Sequence, residues 1–373
     1  MLMKAPQKND WNERDSDTFK VHIATHTWEK EEIYKLRYQV YVEEMAKPII
    51  NHSAENQLYD ELDDRSILLY VANDKTIIAT ARLTIATAGN YPVEMADIFK
   101  LRIIQNAFND ATLLYSLCTK LAVRKNFRNT TALYLILSEI YKILADQNIQ
   151  FWFGGCNPCL IPLYERLGFR RFAPNFRDEG YGLLVPIVII VNDTEYLHTV
   201  RSPLYRQARK RTGNPATAQK FAELFPAVSR IINSRLTSPQ DLWDFIAGKL
   251  GKSLADLPGF RKVPAGELMS LLASGAVFSC TPGDWLLEEN MHCHDLYLLL
   301  SGSIAVRSAG ITRILRAGER IGSSGFQPDA VTAVTLEESE LLVIPQQSLE
   351  QLSLAPREIA ATTTENTNRP YNY

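Results

Sequence analysis

The chain has 373 residues, with 40 Lys and Arg against 42 Asp and Glu, a formal charge of −2. At roughly 100–200 residues per domain that length allows two or three domains, and the balanced charge excludes a global polybasic field for gripping nucleic acid. An apolar content of 46% with 22% charged residues suits folded cores rather than a chain disordered along most of its length.

Residues 1–18 are polar and acid-bearing without an apolar core, which predicts neither a signal peptide nor a membrane anchor; with 357–373 they read as loose termini. Val21–Ala24 predicts a first strand, and Glu29–Met45 a helix with Ile33, Leu36, Val40 and Tyr41 on one face. Ser66–Ala72 and Thr76–Ile85 predict strands joined through the turn Asn73-Asp74-Lys75, a hairpin. After a helical or irregular stretch at Val93–Phe108 come a strand (Ala111–Val123), a helix (Thr130–Gln147), a strand (Ile149–Gly154), a helix (Pro158–Leu167) and a last strand (Tyr181–Val191). That last run is the longest apolar one, yet it contains Pro186 and falls far short of the roughly 20 residues needed to span a bilayer. The order is a mixed α/β one and places a first domain at 19–200.

From Arg201 to Lys262 the pattern changes to short helices, Thr217–Arg235 and Pro239–Lys249, after a basic start. Arg201, Arg206, Arg209, Lys210 and Arg211 have no acid between them and read either as a solvated connector or as a patch for an acidic partner. Residues 263–356 then break into short strands punctuated by Gly and Pro, a small antiparallel barrel or sandwich.

Five cysteines, Cys118, Cys156, Cys159, Cys280 and Cys293, fit free thiols in a reducing compartment, hence a cytoplasmic location. Cys156-Asn-Pro-Cys159 has no second Cys-x-x-Cys, and His292-Cys293-His294 belongs to the later domain, so packing thiols are read here and no metal site. The segment Leu121–Thr131 joins a strand to a helix through Arg124, Lys125 and Arg128; a helix N-terminus behind such a turn is an anion site, though a solvated basic loop reads as well.

Arg128-Asn129-Thr130-Thr131, followed by Asn157 and Tyr164-Glu165-Arg166-Leu167-Gly168-Phe169, resembles the GNAT acyltransferase superfamily. The resemblance implies an α+β fold around a mixed central sheet. A phosphopantetheine thioester donor would be held by Arg124, Arg128, Asn129, Thr130, Thr131 and Asn157, and Tyr164 would protonate the departing thiolate. Thr131 and Leu133 stand where the superfamily keeps glycines near a pyrophosphate, and a β-carbon crowds that approach, which favours acyl carrier protein over coenzyme A as donor. No tightly bound cofactor is implied. Arg37, Glu55, Asp60 and Arg82 follow the order of charges in the acyl-homoserine-lactone synthases and long-chain N-acyl amino acid synthases, with Gln57 replacing an acid. A later Glu-x-x-Arg pair of the lactone synthases is missing at Leu117–Lys120, so an N-acyl synthase with another amine is the nearer match. Arg37, Asp60 and Arg82 would then bind the amine substrate, with Arg37 and Arg82 holding its carboxylate. Glu55 would deprotonate it, and a strand N–H near Leu117–Lys120 would stabilise the oxyanion.

Pro282–Leu287, Asp295–Val306, Ala317–Gly322 and Glu340–Pro345 resemble the cyclic-nucleotide-binding domain. Where that family keeps an Arg for the phosphate and a Glu for the ribose, this chain has Asp329 and Ser323; a carboxylate there repels the phosphate, so no high-affinity cyclic nucleotide binding is expected. The domain is read as a docking or dimerisation module, compatible with a homo-oligomer, or as a sensor of another ligand. The ordered charges and Tyr164 favour an N-acyltransferase, partnered by acyl carrier protein and a small-molecule amine, over a non-catalytic regulator built on the same two folds.

Overall fold

The computed structural model describes residues 19–45, 56–74, 76–289, 295–322 and 331–352; the two expected loose termini lie outside them. In chain order the elements up to residue 224 are β1 (Phe19–Ile23), α1 (Thr27–Tyr38), β2 (Ile67–Asn73), β3 (Thr76–Thr87), α2 (Val93–Ile98), α3 (Leu101–Phe108), β4 (Leu114–Val123), α4 (Ala132–Asp146), β5 (Phe151–Cys156), α5 (Ile161–Leu167), β6 (Arg170–Arg171), β7 (Phe176–Asp178), β8 (Gly182–Ile190), α6 (Thr194–Thr199), α7 (Tyr205–Ala208) and α8 (Pro215–Leu224). The strands form one mixed sheet in the order β1-β2-β3-β4-β5-β8-β6, with β7 paired to β8. By compactness the chain divides into residues 1–154 with 188–224, and 155–187 with 225–373.

In the first unit β1 to β4 are antiparallel neighbours and β5 runs parallel to β4. β2 and β3 are nearly continuous apolar runs because helices cover the sheet: α4 packs on β1, β2 and β3, and α1 on β3 and β4. The anticipated long first helix changes character, since α1 ends at Tyr38 and Gln39–Glu44 continue as a π-helix that buries Val40 and Tyr41. The wider turn brings the Tyr41 hydroxyl to the Leu121 carbonyl, 2.6 Å away.

The start of α1 is fixed by Glu29, which accepts the Thr25 N–H (2.6 Å), the His26 N–H (2.8 Å) and the Tyr70 hydroxyl (2.7 Å). Burial alone would raise this carboxyl, but those hydrogen bonds hold it down to about 2. A carboxyl lowered on folding stabilises the native state above its ordinary value of 4.5 and loses that contribution as pH falls towards about 2. Glu29→Gln is therefore expected to cost about 2 kcal/mol at pH 7, and thermal melting across the acid range should show the gap to wild type closing below pH 4.5.

Beyond residue 224 follow α9 (Pro239–Leu250), α10 (Ala265–Ser274), β9 (Ala276–Cys280), β10 (Trp285–Leu287), β11 (Leu296–Ser301), β12 (Ile304–Ser308), β13 (Ile311–Leu315), β14 (Arg320–Ile321), β15 (Val331–Thr335), β16 (Ser339–Ile344) and α11 (Gln346–Leu349). Their strands form two four-stranded sheets, β10-β15-β12-β13 and β14-β11-β16-β9, the small β-domain anticipated. Two expectations need correction here. The helix anticipated over Thr217–Arg235 is interrupted after Leu224, where Pro226 lacks the N–H to continue it and opens a 3₁₀ turn instead. Ala265–Ser274, read within a run of strands, is a helix, and Leu268, Leu271 and Leu272 at i, i+3 and i+4 bury into a core with Leu242, Ile246, Leu298 and Leu342. Gly322 ends β14 at φ +95°, where an added Cβ would stand 1.9 Å from the Asp295 carbonyl oxygen, so the turn admits only glycine. Among the described residues no helix is long and apolar enough to cross a membrane.

Candidate functional site

The charged residues anticipated for the amine substrate converge in the first unit. Arg37, fully buried on α1, donates through Nη1 to Asp63 Oδ1 at 2.8 Å. Arg82, buried on β3, donates through Nη1 to Asp60 Oδ1, stands 3.3 Å from Asp63 Oδ2, and donates through Nε to Thr119 Oγ1 at 2.9 Å. Asp63 also accepts the Asp60 N–H at 2.9 Å, so its two oxygens tie both guanidinium groups and the loop before β2 together. Lys120 Nζ lies 3.8 Å from Asp60 Oδ2, and Asp60, with 37% of its side chain exposed, is more open to solvent than Lys120 or the two arginines. Burial alone would raise the Asp60 carboxyl, but the Arg82 charge and hydrogen bond, with Lys120, hold it below its ordinary value. Burial, together with the Asp63 charge, pushes the Tyr34 phenol up to about 12, so it stays protonated beside Arg37, whose guanidinium carbon is 5.5 Å from the Tyr34 ring.

Asp63 was not among the anticipated residues. Its only signal was a second aspartate three residues after Asp60. Glu55, the anticipated base, lies outside the described residues. Arg37 carries a further feature: Nε and Nη2, both buried, have no hydrogen-bond partner among the described residues. These two nitrogens form one edge of the guanidinium, the edge that takes a carboxylate through two parallel hydrogen bonds.

The partner strand explains how Thr119 and Lys120 reach this cluster. β3 and β4 are paired Thr80 to Ala122 and Arg82 to Thr119, two steps on one strand against three on the other, a bulge with Lys120 at φ +53°. The bulge falls in the stretch anticipated to supply an oxyanion donor, and the β4–β5 ladder covers only Tyr115–Leu117 with Phe151–Phe153.

The basic turn is more self-occupied than its composition implied. Arg124 donates through Nε to the Ile77 carbonyl at 2.7 Å and through Nη1 to Gln39 Oε1 at 2.6 Å, tying β3 to the π-helix. Arg128 pairs with Glu44 at 2.5 Å and donates to the Val123 carbonyl at 3.1 Å. Asn129 takes φ +66°, the left-handed region that Asn tolerates, and Thr130 donates to the Phe127 carbonyl at 2.7 Å. Thr131 directly precedes α4, and its buried hydroxyl has no partner among the described residues.

In the second unit the Asn157 amide nitrogen donates to the Tyr181 and Leu183 carbonyls at 3.1 and 3.2 Å, pinning the start of β8. Tyr164 is half-buried on α5, its ring edge-on to Phe169 with centroids 5.3 Å apart. Gly168 ends the helix at φ +105°, and the Phe169 N–H returns to the Tyr164 carbonyl at 3.0 Å. Burial pushes the Cys118 thiol up to about 12 and raises Cys156 as well, which suits packing thiols because the thiolate is the nucleophile. Ser323 and Asp329 lie outside the described residues.

Residues 32–190 match the family model of the N-acyl amino acid synthase FeeM, and residues 277–355 match the cyclic nucleotide-binding domain model. Among solved structures, FeeM from uncultured soil microbes is 14% identical, covering 51% of this chain and 97% of its own, at a TM-score of 0.40. The acyl-homoserine-lactone synthase LasI is 16% identical over 46% of this chain and 90% of its own, at a TM-score of 0.37. The voltage-gated inwardly rectifying potassium channel KCNH3 of rat is 29% identical over 143 residues, 36% of this chain. This chain spans 13% of that relative's length.

Proposed function

We propose that this chain, an acyltransferase joining a FeeM-type N-acyl amino acid synthase domain to a cyclic nucleotide-binding-type domain, moves a fatty acyl group from a carrier-protein thioester to the amine of an amino acid. The observation that carries this reading is the Arg37 edge. Arg37 pairs through Nη1 with Asp63, which leaves its Nε and Nη2 edge without a hydrogen-bond partner among the described residues. A buried cation with an open edge recognises an anion, and the anion an amine substrate brings is its carboxylate. Because Arg37 is fully buried, the carboxylate reaches that edge only when the residues over it move, so acceptor binding is coupled to local opening.

The reaction then needs little from the protein beyond proton handling. The free amine attacks the thioester carbonyl, a C–N bond forms, the tetrahedral oxyanion collapses, and the C–S bond breaks. The amine loses its proton to Glu55, and the pantetheine thiolate takes one from Tyr164; a proton then passes from Glu55 to the Tyr164 phenolate through solvent and resets both groups. A backbone N–H of the β4 bulge is the proposed oxyanion donor.

Two features favour a carrier-protein donor. Arg124 and Arg128 are already engaged with Gln39, Glu44 and backbone carbonyls, which leaves a weak grip for a pyrophosphate. Arg201, Arg206, Arg209, Lys210 and Arg211 are all exposed, and only Arg211 has an acidic partner, Asp146, among the ion pairs described, so the segment suits an acidic carrier surface. The C-terminal domain is proposed to work without a cyclic nucleotide, in the cytoplasm with the rest of the chain.

The test is a product screen by mass spectrometry with purified protein and acyl thioesters of both carrier protein and coenzyme A. Each amino acid is offered beside its decarboxylated amine. We expect N-acyl amino acids at least about tenfold faster than the matched N-acyl amines, the loss of one charge-assisted pair; equal rates would remove the Arg37 reading.

A further inference from the structure

Glu165 and Arg171 form a buried ion pair that the acyl-transfer chemistry does not use. Glu165 is the residue after Tyr164 on α5, 2% exposed; Arg171, on β6, is 6% exposed. Arg171 donates through Nε to Glu165 Oε1 at 3.0 Å, with Nη2 at 2.9 Å from the same oxygen. Its other bonds leave the acyltransferase segment: Nη1 donates to the Val277 carbonyl on β9 at 2.7 Å, and Nη2 to the Ile232 carbonyl. The second Glu165 oxygen accepts the Ser234 N–H at 2.7 Å. Two further side chains make parallel connections. Asn175 donates to the Ser279 carbonyl at 2.8 Å and to Asp284 at 3.0 Å, and Arg177 grips Glu288 through two nitrogens at 2.9 and 2.6 Å.

We infer that the C-terminal β-domain is a built-in positioning element for the acyl-transfer step, and that the Glu165–Arg171 pair is the joint through which β9 and the Ile232–Ser234 turn hold α5, and with it Tyr164. The sequence separation makes the case. A helix of seven residues has few bonds of its own to fix its rotation, and here its one buried carboxylate is held from residues 171 and 234 while the clamping arginine is held from 232 and 277. β9 in turn pairs with β16, Val277 opposite Leu342, so a shift in that sheet moves the carbonyl that Arg171 grips. Glu165 and Arg171 are positioning residues and touch no reacting atom. The inference rests on the proposed role of Tyr164 in acyl transfer.

The test uses the full chain and two substitutions that leave Tyr164 untouched. Ser234 is the second residue of a turn closed by the Leu236 N–H on the Asn233 carbonyl at 3.1 Å, a position that accepts proline. Its own hydroxyl is buried and has no partner among the described residues, so Ser234→Pro breaks the bond to Glu165 by setting a ring carbon in place of the N–H. Arg171→Lys keeps the charge and loses the fork. We expect kcat to fall at least fivefold in Ser234→Pro and at least tenfold in Arg171→Lys, with KM for the amino acid within twofold of wild type. Wild-type kcat in Ser234→Pro, or kcat and KM changing together with melting temperature, overturns the inference. If Arg171→Lys does not fold, Ser234→Pro decides alone. A wild-type chain that makes no acyl product removes the proposed function itself; a wild type disabled by Tyr164→Phe but indifferent to Ser234→Pro removes only the joint.

Discussion

Asp63→Ala is expected to cost the fold about 3–5 kcal/mol, the range for breaking a buried ion pair by removing one partner. Asp63 is 2% exposed and receives Arg37 and the Asp60 N–H while facing Arg82. Without it, among the described residues Arg82 keeps Asp60 and Arg37 keeps no carboxylate partner. Guanidinium groups do not shed their protons at any pH a protein survives, so the excess charge has no titration escape. Urea denaturation should show a lower midpoint with little change in slope. The double variant Asp63→Ala, Arg37→Met removes the charge left without its partner and should recover part of the loss, which a double-mutant cycle reads as coupling. A single variant within about 0.5 kcal/mol of wild type, the spread of ordinary surface substitutions, would mean the cluster is not a buried charge network.

Tyr164→Phe is expected to lower kcat by about 10²–10⁴-fold, the usual range for losing a general acid or base. The phenyl ring keeps the edge-on contact with Phe169, so the melting temperature should stay close to wild type and KM should move little. The deficit has a further signature. A thiolate of low basicity leaves without a proton, so aryl thioester donors should narrow the gap between variant and wild type, whereas alkyl thioesters keep it wide. A variant with wild-type kcat on alkyl thioesters would remove Tyr164 from the reaction.

The mixed sheet and the small β-domain were legible because strand and helix periodicities and Gly- and Pro-marked turns are local signals. So was the meeting of Arg37, Asp60 and Arg82, since their order along the chain matched a known arrangement of charges. Asp63 escaped because it sits in the acidic run Glu61–Asp64, where spacing alone does not say which carboxylate turns inward. Arg124 is the opposite case. Composition makes it one of three equivalent cations, but the β3 carbonyl of Ile77 and the π-helix engage it, and such pairings appear only once backbone is folded. The π-helix itself was invisible because an apolar stripe through Val40 and Tyr41 looks alike at either helical period. β6 is two residues long, below any periodicity, yet it carries Arg171, whose partners lie up to 106 residues away.

The way the chain is divided between its two units bears on how it is made. The first unit is completed only when Val188–Leu224 follow Met1–Gly154, and the intervening Gly155–Ile187 belong with residues beyond 224. At about 5–20 residues per second, a ribosome keeps the first 154 residues waiting several seconds for the helices that finish their core. Phe151, packed against Phe221, is without its cover in that interval. No single cut separates the two units: a fragment ending near residue 154 lacks Val188–Leu224 and one beginning near residue 225 lacks Gly155–Ile187, so both should give aggregating rather than folded products.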